Sequence, residues 1–430
     1  MSITSVSWPA SLWLHTAPSS DPNPPLKDSL RTDVAIIGAG FTGLRAALAL
    51  AEAGSEVAVI DSGDVGWGAS GRNGGQVNPM LPFNSPAQLQ KRVGSARFEQ
   101  LAVASLNSAD ELFTLIDKYQ IDCQARQAGW LRVLHSDGAR RKAEADLHAW
   151  NRFGAAMEML SGTGLLQKTG TEAYGYGVLT PRGGAVQPLM LARGVAHAAK
   201  ARGARIFGQT PAQALERRDG IWTIRTPHGA ITSEQVIVAT NGYSAALLPD
   251  LPKTIIPMTP IQIATAPLPD SVAAEILPEG HTISDSRRVI MYARREPDNR
   301  MVYGGLGRMD KRGGLSGFDW LKRDACRVYP QLEQAEWSHE WGGTIAITDD
   351  HLPHLHEPEP GLLIGLGYNG RGVAMSHVMG RVLAERALGA PPESLPFPIT
   401  PPRRFPLRAF KLAGMGTAIR AMRLMDRLER

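Results

Sequence analysis

The chain has 430 residues, 43% hydrophobic and 20% charged, with a formal net charge of +5 at pH 7. That length exceeds what one core comfortably fills, so two domains, or one domain with a large excursion, are expected, and the composition excludes long disorder. The mild charge gives no reason to expect a nucleic-acid partner.

The first strong element is TDVAIIGAGFTGLRAALALAEAGSEVAVIDSG, Thr32 to Gly63. DVAII suits a strand buried on both faces, TGLRAALALAEAG has helical apolar spacing closed by Gly54, and EVAVID reads as a second strand. Between strand and helix, Gly38-Ala39-Gly40-Phe41-Thr42-Gly43 matches G-x-G-x-x-G. Gly38 permits the tight turn, Gly40 lets backbone approach a pyrophosphate at the helix N-terminus, and Gly43 lets helix and strand pack closely. Asp61, followed by Ser62, ends the second strand about 20 residues later, where a carboxylate can accept ribose hydroxyls.

A second glycine-rich loop, GWGASGRNGGQ at Gly66 to Gln76, follows at once. Pro79 to Pro86 reads as a loop and Ala87 to Tyr119 as mostly helical. GWLRVLHS (129–136) is a strand candidate, LMLARGVAHAAKARGA (189–204) an amphipathic helix, and IWTIRT and QVIVATNGY strands. RRVIMYAR and RMVYGG flank Pro-Asp-Asn turn chemistry and predict a hairpin. Gly361 to Gly389 is again strand, glycine turn, helix. Two such junctions plus the loop at Gly66 to Gln76 exceed what a nicotinamide dinucleotide needs; FAD, with an extended tail and a three-ring head, would use all three.

These stretches, with Ala239-Thr240-Asn241-Gly242-Tyr243, Trp341-Gly342-Gly343, Thr348-Asp349-Asp350-His351-Leu352-Pro353 and Gly367-Tyr368-Asn369-Gly370-Arg371-Gly372, resemble the FAD-dependent amine and amino-acid oxidoreductases of the D-amino-acid oxidase superfamily. Within it the chain is most similar to the γ-glutamylputrescine oxidoreductase-like branch, including the SWPASLWL leader, over roughly residues 7 to 390. The resemblance implies an α/β (α+β) fold: a Rossmann-like FAD domain from separated segments (30–95, 180–250, 345–392) and a substrate domain with a mixed or antiparallel sheet (96–179, 251–344). A basic amphipathic tail (393–430) follows. Ala69, Ser70, Arg72, Asn73, Gly74, Gly75 and Gln76 would lie against the flavin, Arg72 and Asn73 as donors. Ala239, Thr240 and Asn241 would join them, and Gly367, Asn369, Gly370, Arg371, Gly372 and Val373 would serve the pyrimidine end of the flavin.

Departures from the sarcosine-oxidising branch bear on substrate. Ile345 stands where that branch links FAD to cysteine, so FAD is expected to be non-covalent. Gly74 and Ala374 stand where its carboxylate-binding cations do, which disfavours a simple N-methyl α-amino acid. The expected reaction is hydride transfer from an amine to flavin, with an imine hydrolysing to an aldehyde and with oxygen or another acceptor reoxidising the flavin. Tyr243, Tyr292, Trp67, Trp341 and His351 are pocket candidates, and Arg294 could catch a distant carboxylate such as that of a γ-glutamyl group. Each also has a packing or structural alternative. Lys253 and Arg308 are candidate cations for oxygen activation. A D-amino-acid or N-methyl amino-acid dehydrogenase or oxidase, and a non-catalytic FAD-binding subunit, remain open alternatives.

Cys123 and Cys326 are too few for a disulfide scaffold and are not spaced as metal ligands; no metal is expected. With no basic leader and no apolar run of about 20 residues, the expectation is a cytoplasmic protein without a membrane span. The tail sets Ala418, Ile419, Met422 and Met425 against Arg420, Arg423 and Arg427. Such a helix can touch an anionic membrane or pack on its own protein.

Overall fold

The computed structural model describes residues 8–244, 247–310 and 313–429; Arg430 of the tail and Ser7 of the leader lie outside them. Two eight-stranded sheets organise the chain. In the first, the β-branched run Leu30–Ile37 pairs in parallel with Ala230–Val238 on one side and Val57–Ile60 on the other, in register Ala35↔Val236 and Val34↔Val57. Leu362–Leu366 and Arg205–Phe207 continue the parallel order outward. Segments more than 300 residues apart therefore share one sheet.

Period-2 alternation assigns the faces of this sheet. Val34, Ile36, Val57 and Val59 pack with the helices Phe41–Glu52, Pro188–Ala201 and Gly372–Ala387. Ala35, Ile37, Ala58 and Ile60 pack on the opposite side against Trp222 and Ile224 of an antiparallel ribbon.

The second sheet is antiparallel except where Thr282–Asp285 runs parallel to Trp130–Leu134. Leu131, Val133, Ile261, Ile263, Ile283, Met291 and Ala293 point to one side and are buried with Leu321, Ala325 and Val328 of the helix Phe318–Val328. The alternate residues Trp130, Arg132, Gln262, Ser284 and Tyr292 line a cavity on the other side. The predicted hairpin is Met291–Arg295 with Met301–Leu306, and Ala87 to Tyr119 forms most of three short helices, Pro86–Val93, Ser95–Leu106 and Ser108–Lys118.

The tail helix Arg408–Leu428 docks on the protein. The Asp426 carboxylate accepts N–H bonds from Arg288 and Val289 at 3.1 and 3.2 Å and pairs with the Arg288 guanidinium at 3.0 Å. Arg423 lies over Trp320 at 4.2 Å. Phe410, Leu424 and Leu428 remain exposed. Among the described residues, no helix is long and apolar enough to cross a membrane.

Candidate active site

A cavity of about 820 Å³ runs between the first glycine turn and the inner face of the second sheet. Gly38 (φ +114°) takes a backbone conformation that favours glycine, and a Cβ on it would stand 2.9 Å from the Ala239 carbonyl oxygen. A Cβ on Gly43 would stand 2.0 Å from the Gly38 carbonyl oxygen, so the helix can close on the strand only with glycine there. Gly40 caps that helix, and the Phe41 N–H is fixed by Ser70 Oγ at 2.9 Å. The Asp61 carboxylate accepts the Ala39 and Gly63 N–H groups, each at 2.8 Å. Burial pushes its pKa up to about 6 against the pull of those two donors.

Hydrogen bonds between distant loops bring the other motifs to this turn. Thr42 Oγ1 and Tyr368 Oη are 2.6 Å apart, and Asn241 Oδ1 accepts the Gly367 N–H at 2.9 Å. Asn369 Oδ1 accepts the Thr348 N–H at 3.0 Å. Gly38, Gly40, Phe41, Thr42, Asp61 and Ser62 line the cavity, as do Ala69, Ser70 and residues 73–76 of the second loop. So do Ala239, Thr240, Asn241, Asn369, Gly370, Arg371, Gly372 and Val373. Ala39, Gly43 and Gly367 stand just behind, as turn and packing residues. The donor-rich turn, the carboxylate and the glycine-lined loops fit a dinucleotide with a flat ring system.

Three residues expected in the substrate pocket are elsewhere. The guanidinium of Arg294 is buried: it pairs with both oxygens of Glu296 and donates to the carbonyls of Gly75 and Val186 at 2.8 and 2.7 Å. With those donors engaged it is not available to a substrate carboxylate. Trp341 is buried edge-on to Trp13 at 5.5 Å, and its indole N–H donates to the Arg72 carbonyl at 3.1 Å. His351 packs on Phe83 at 4.8 Å without lining the cavity, and burial lowers its pKa. Lys253 pairs with Asp250 at 2.9 Å, and Arg308 lies on an exposed strand; neither lines the cavity.

The two expected loop donors are also redirected. Asn73 Nδ2 donates to the Ser70 and Ala69 carbonyls and its Oδ1 accepts the Gly75 N–H at 2.7 Å, so its side chain closes the loop. Arg72 Nε donates to the Trp67 carbonyl at 2.7 Å and its guanidinium covers the Trp67 ring at 4.2 Å. Behind the loop, the indole of Trp13 in the leader donates to the Asn73 carbonyl at 2.7 Å. Trp13, Trp341 and Arg294 thus brace this loop from its far side, which gives the leader a structural purpose.

Tyr292, Tyr243 and Trp67 do line the cavity. Tyr292 lies against Gly74, where a Cβ would stand 2.6 Å from its ring. Its hydroxyl accepts from Gln262 at 2.6 Å, and burial pushes the phenol up to about 12, so it stays protonated. Tyr243 Oη accepts the Thr344 N–H at 3.0 Å, and its ring meets Trp67 at 6.0 Å.

Arg132 and Gln262 stand outside the expected set. The signal for Arg132 is alternation within GWLRVLHS, which puts it on the same strand face as Trp130. Gln262 lies in the run PIQIAT between two buried isoleucines, a pattern that turns one polar side chain toward the other face.

Comparison with known proteins identifies the lineage. The sequence profile of the family described as FAD dependent oxidoreductase (DAO) matches residues 33–386. The chain belongs to this family. It is an FAD-dependent oxidoreductase of the amine and amino-acid type. It is 32% identical over 371 residues to "Probable oxidoreductase OrdL" of Haemophilus influenzae, with 85% of each chain covered. It is 30% identical over 366 residues to gamma-glutamylputrescine oxidoreductase of Escherichia coli, again covering 85% of each. The crystal structure of glycine oxidase from Geobacillus kaustophilus shares the fold, with a TM-score of 0.72 at 23% identity, covering 86% of this chain and 98% of that one.

Proposed function

We propose that this oxidoreductase oxidises the C–N bond of an amine to an imine, which water hydrolyses to an aldehyde, and that a γ-glutamylated amine suits it better than a simple α-amino acid. The observation that carries the reading is the one cavity that joins the cofactor turn to the aromatic, sheet-lined face bearing Tyr292. FAD, when bound, supplies the hydride acceptor.

The protein's own residues need only bind and orient the amine. Gly74, Tyr292 and Ile345 give the cavity a close, largely apolar wall, which lowers the pKa of an entering ammonium and favours its reactive neutral form. Tyr292 and Tyr243, whose hydroxyls accept from Gln262 Nε2 and the Thr344 N–H, offer ring surfaces that position the substrate carbon. Neither is needed as a base, because the ammonium gives its proton to solvent water as it leaves bulk water for the apolar cavity and enters as the neutral amine. Residues proposed to hold FAD are the turn 38–43, Asp61, and, through their backbone, the loop 69–76 and the segment 367–373.

Similarity to the gamma-glutamylputrescine oxidoreductase supports the substrate preference, as does the absence of a cationic side chain at Gly74 and Ala374. Incubating the holoenzyme with γ-glutamylputrescine tests it: an aldehyde and ammonia in equal amounts are expected. Turnover of D-alanine or sarcosine with no aldehyde from the γ-glutamyl amine would reverse the assignment.

A further inference from the structure

We propose that Arg132 and Arg371 together form a carboxylate-binding site for the substrate, so that the protein selects amines that carry a carboxylate. This rests on the amine-oxidation reading above and adds the group by which the substrate is recognised.

The two arginines come from different parts of the fold and line the same cavity, close enough for the charge of Arg132 to act on Arg371. Arg132 lies on the strand Trp130–Leu134, two residues from Trp130 and on the same face, while Leu131 and Val133 point into the core. Arg371 stands at the start of the helix Gly372–Ala387, in the glycine motif that closes the cofactor side. Its guanidinium carbon is 4.4 Å from the centroid of the Trp130 ring. Stacking on that indole holds the plane of the guanidinium and leaves its edge, which carries the N–H donors, for a partner.

That partner is missing within the protein. Among the described residues, neither Arg132 nor Arg371 has a carboxylate within ion-pair distance, and Arg371 Nε is buried with no hydrogen-bond acceptor. Arg294 and Arg287, also enclosed, are neutralised, the first by Glu296 and the second by Asp285 and Asp324. Arg45, Arg72 and Arg126 are enclosed without a carboxylate too, but none of them lines the cavity. Asp146, on the helix Asp137–Asn151, also faces the cavity and attracts Arg132, but beyond ion-pair distance. Asp285 is already taken by Arg287 and the Met291 N–H.

Burial, then the nearby charge of Arg132, lowers the Arg371 pKa to about 9, and burial lowers that of Arg132 as well. Two like charges held in an enclosed space with no carboxylate in contact, the attraction of Asp146 and Asp285 reaching Arg132 only from a distance, destabilise the site, and a substrate carboxylate accepting from both would remove that cost. Bidentate guanidinium–carboxylate geometry also selects a carboxylate over a spherical anion.

The test uses the FAD-loaded protein and glutarate, a dicarboxylate with no oxidisable amine. Calorimetric titration is expected to show glutarate binding that weakens at least tenfold in Arg132→Met and in Arg371→Met, with partial recovery in Arg132→Lys. Flavin content and melting temperature serve as checks on folding; should Arg371→Met lose FAD, Arg132→Met, on a strand of the other sheet, still decides. Anaerobic flavin reduction provides the second arm. The ratio of kcat/KM for γ-glutamylputrescine over putrescine should fall at least tenfold in Arg132→Met. A parallel loss for sarcosine relative to methylamine would support the site and place the carboxylate on the reacting carbon; a loss confined to the γ-glutamyl amine would support it and place the carboxylate at the remote end. Equal losses for carboxylated and uncarboxylated amines, no glutarate binding, or sulfate binding as tightly as glutarate would each overturn the proposal. Arginine-dependent glutarate binding in a protein that oxidises no amine would leave the carboxylate site standing and refute the reaction assigned above.

Discussion

Arg294 Nη1 donates to the carbonyl oxygen of Gly75 at 2.8 Å, joining the second sheet to the glycine loop across 219 residues of sequence. The same guanidinium is neutralised by Glu296, so the pair acts as a buried rivet under the loop that faces the cavity.

Arg294→Met should therefore act on stability and cofactor retention and show no preference among substrates. Leaving Glu296 buried without its cation is expected to cost about 3 to 5 kcal/mol. Denaturant unfolding and the flavin-to-protein ratio measure this; a selective loss toward carboxylated amines at normal stability would contradict it.

Gly43 and Gly40 should respond differently. A Cβ on Gly43 meets the backbone oxygen of Gly38 at 2.0 Å, so Gly43→Ala forces helix and strand apart and should markedly lower the melting temperature. At Gly40 the nearest atom is Ser70 Oγ at 2.8 Å, a side chain that can turn away, so the protein should tolerate Ala, whereas Val reaches into the cofactor cradle. Gly40→Val is expected to fold but to purify colourless.

The purified protein should be yellow, and acid precipitation should release its flavin as free FAD. Ile345 lines the cavity and carries no nucleophile, and the Cys123 thiol is buried with its pKa pushed up to about 12 by burial. Colour retained in the washed precipitate would mean a covalent link.

Acid should weaken the fold through His377. Its ring is buried against Phe41 at 5.1 Å, both nitrogens lack a partner among the described residues, and burial lowers its pKa to about 3. Because the folded value lies below the unfolded one near 6.5, the neutral ring contributes stability that is fully present above pH 6.5 and lost as pH falls toward 3. The loss amounts to roughly 4 to 5 kcal/mol at the low end. His377→Leu should flatten this part of the stability profile measured by urea titration between pH 7 and 4; an unaltered slope would show that other groups set it. His356, lowered to about 4 by burial, acts in the same direction.

The tail helix should be released by Asp426→Ala, which removes the acceptor for two backbone N–H groups and one guanidinium. Faster proteolysis within 408–428, at a cost of about 1 to 3 kcal/mol, is the expected result.

The nucleotide turn, its strands and the late glycine junction were legible in the sequence because local periodicity and turn chemistry act within a few residues. The strand and helix read from TDVAIIGAGFTGLRAALALAEAG are Leu30–Ile37 and Phe41–Glu52. What periodicity could not show is what lies over a given face. Tyr292 and Arg294 share one face of their strand, yet the first meets the cavity and the second the underside of the loop at Gly75, because that loop comes from a distant part of the chain. Trp341 misleads for the same reason. Arg132 was within reach, being an arginine at a strand position whose neighbours alternate with core residues, but its meaning depends on Arg371 arriving from the start of a helix packed on the other sheet.

The most direct measurement is anaerobic stopped-flow reduction of the bound flavin by matched amines. Mixing with γ-glutamylputrescine should bleach the flavin faster, at equal concentration, than mixing with sarcosine or D-alanine. Rapid bleaching by sarcosine or D-alanine with no response to γ-glutamylputrescine or any other extended amine would contradict the proposed function.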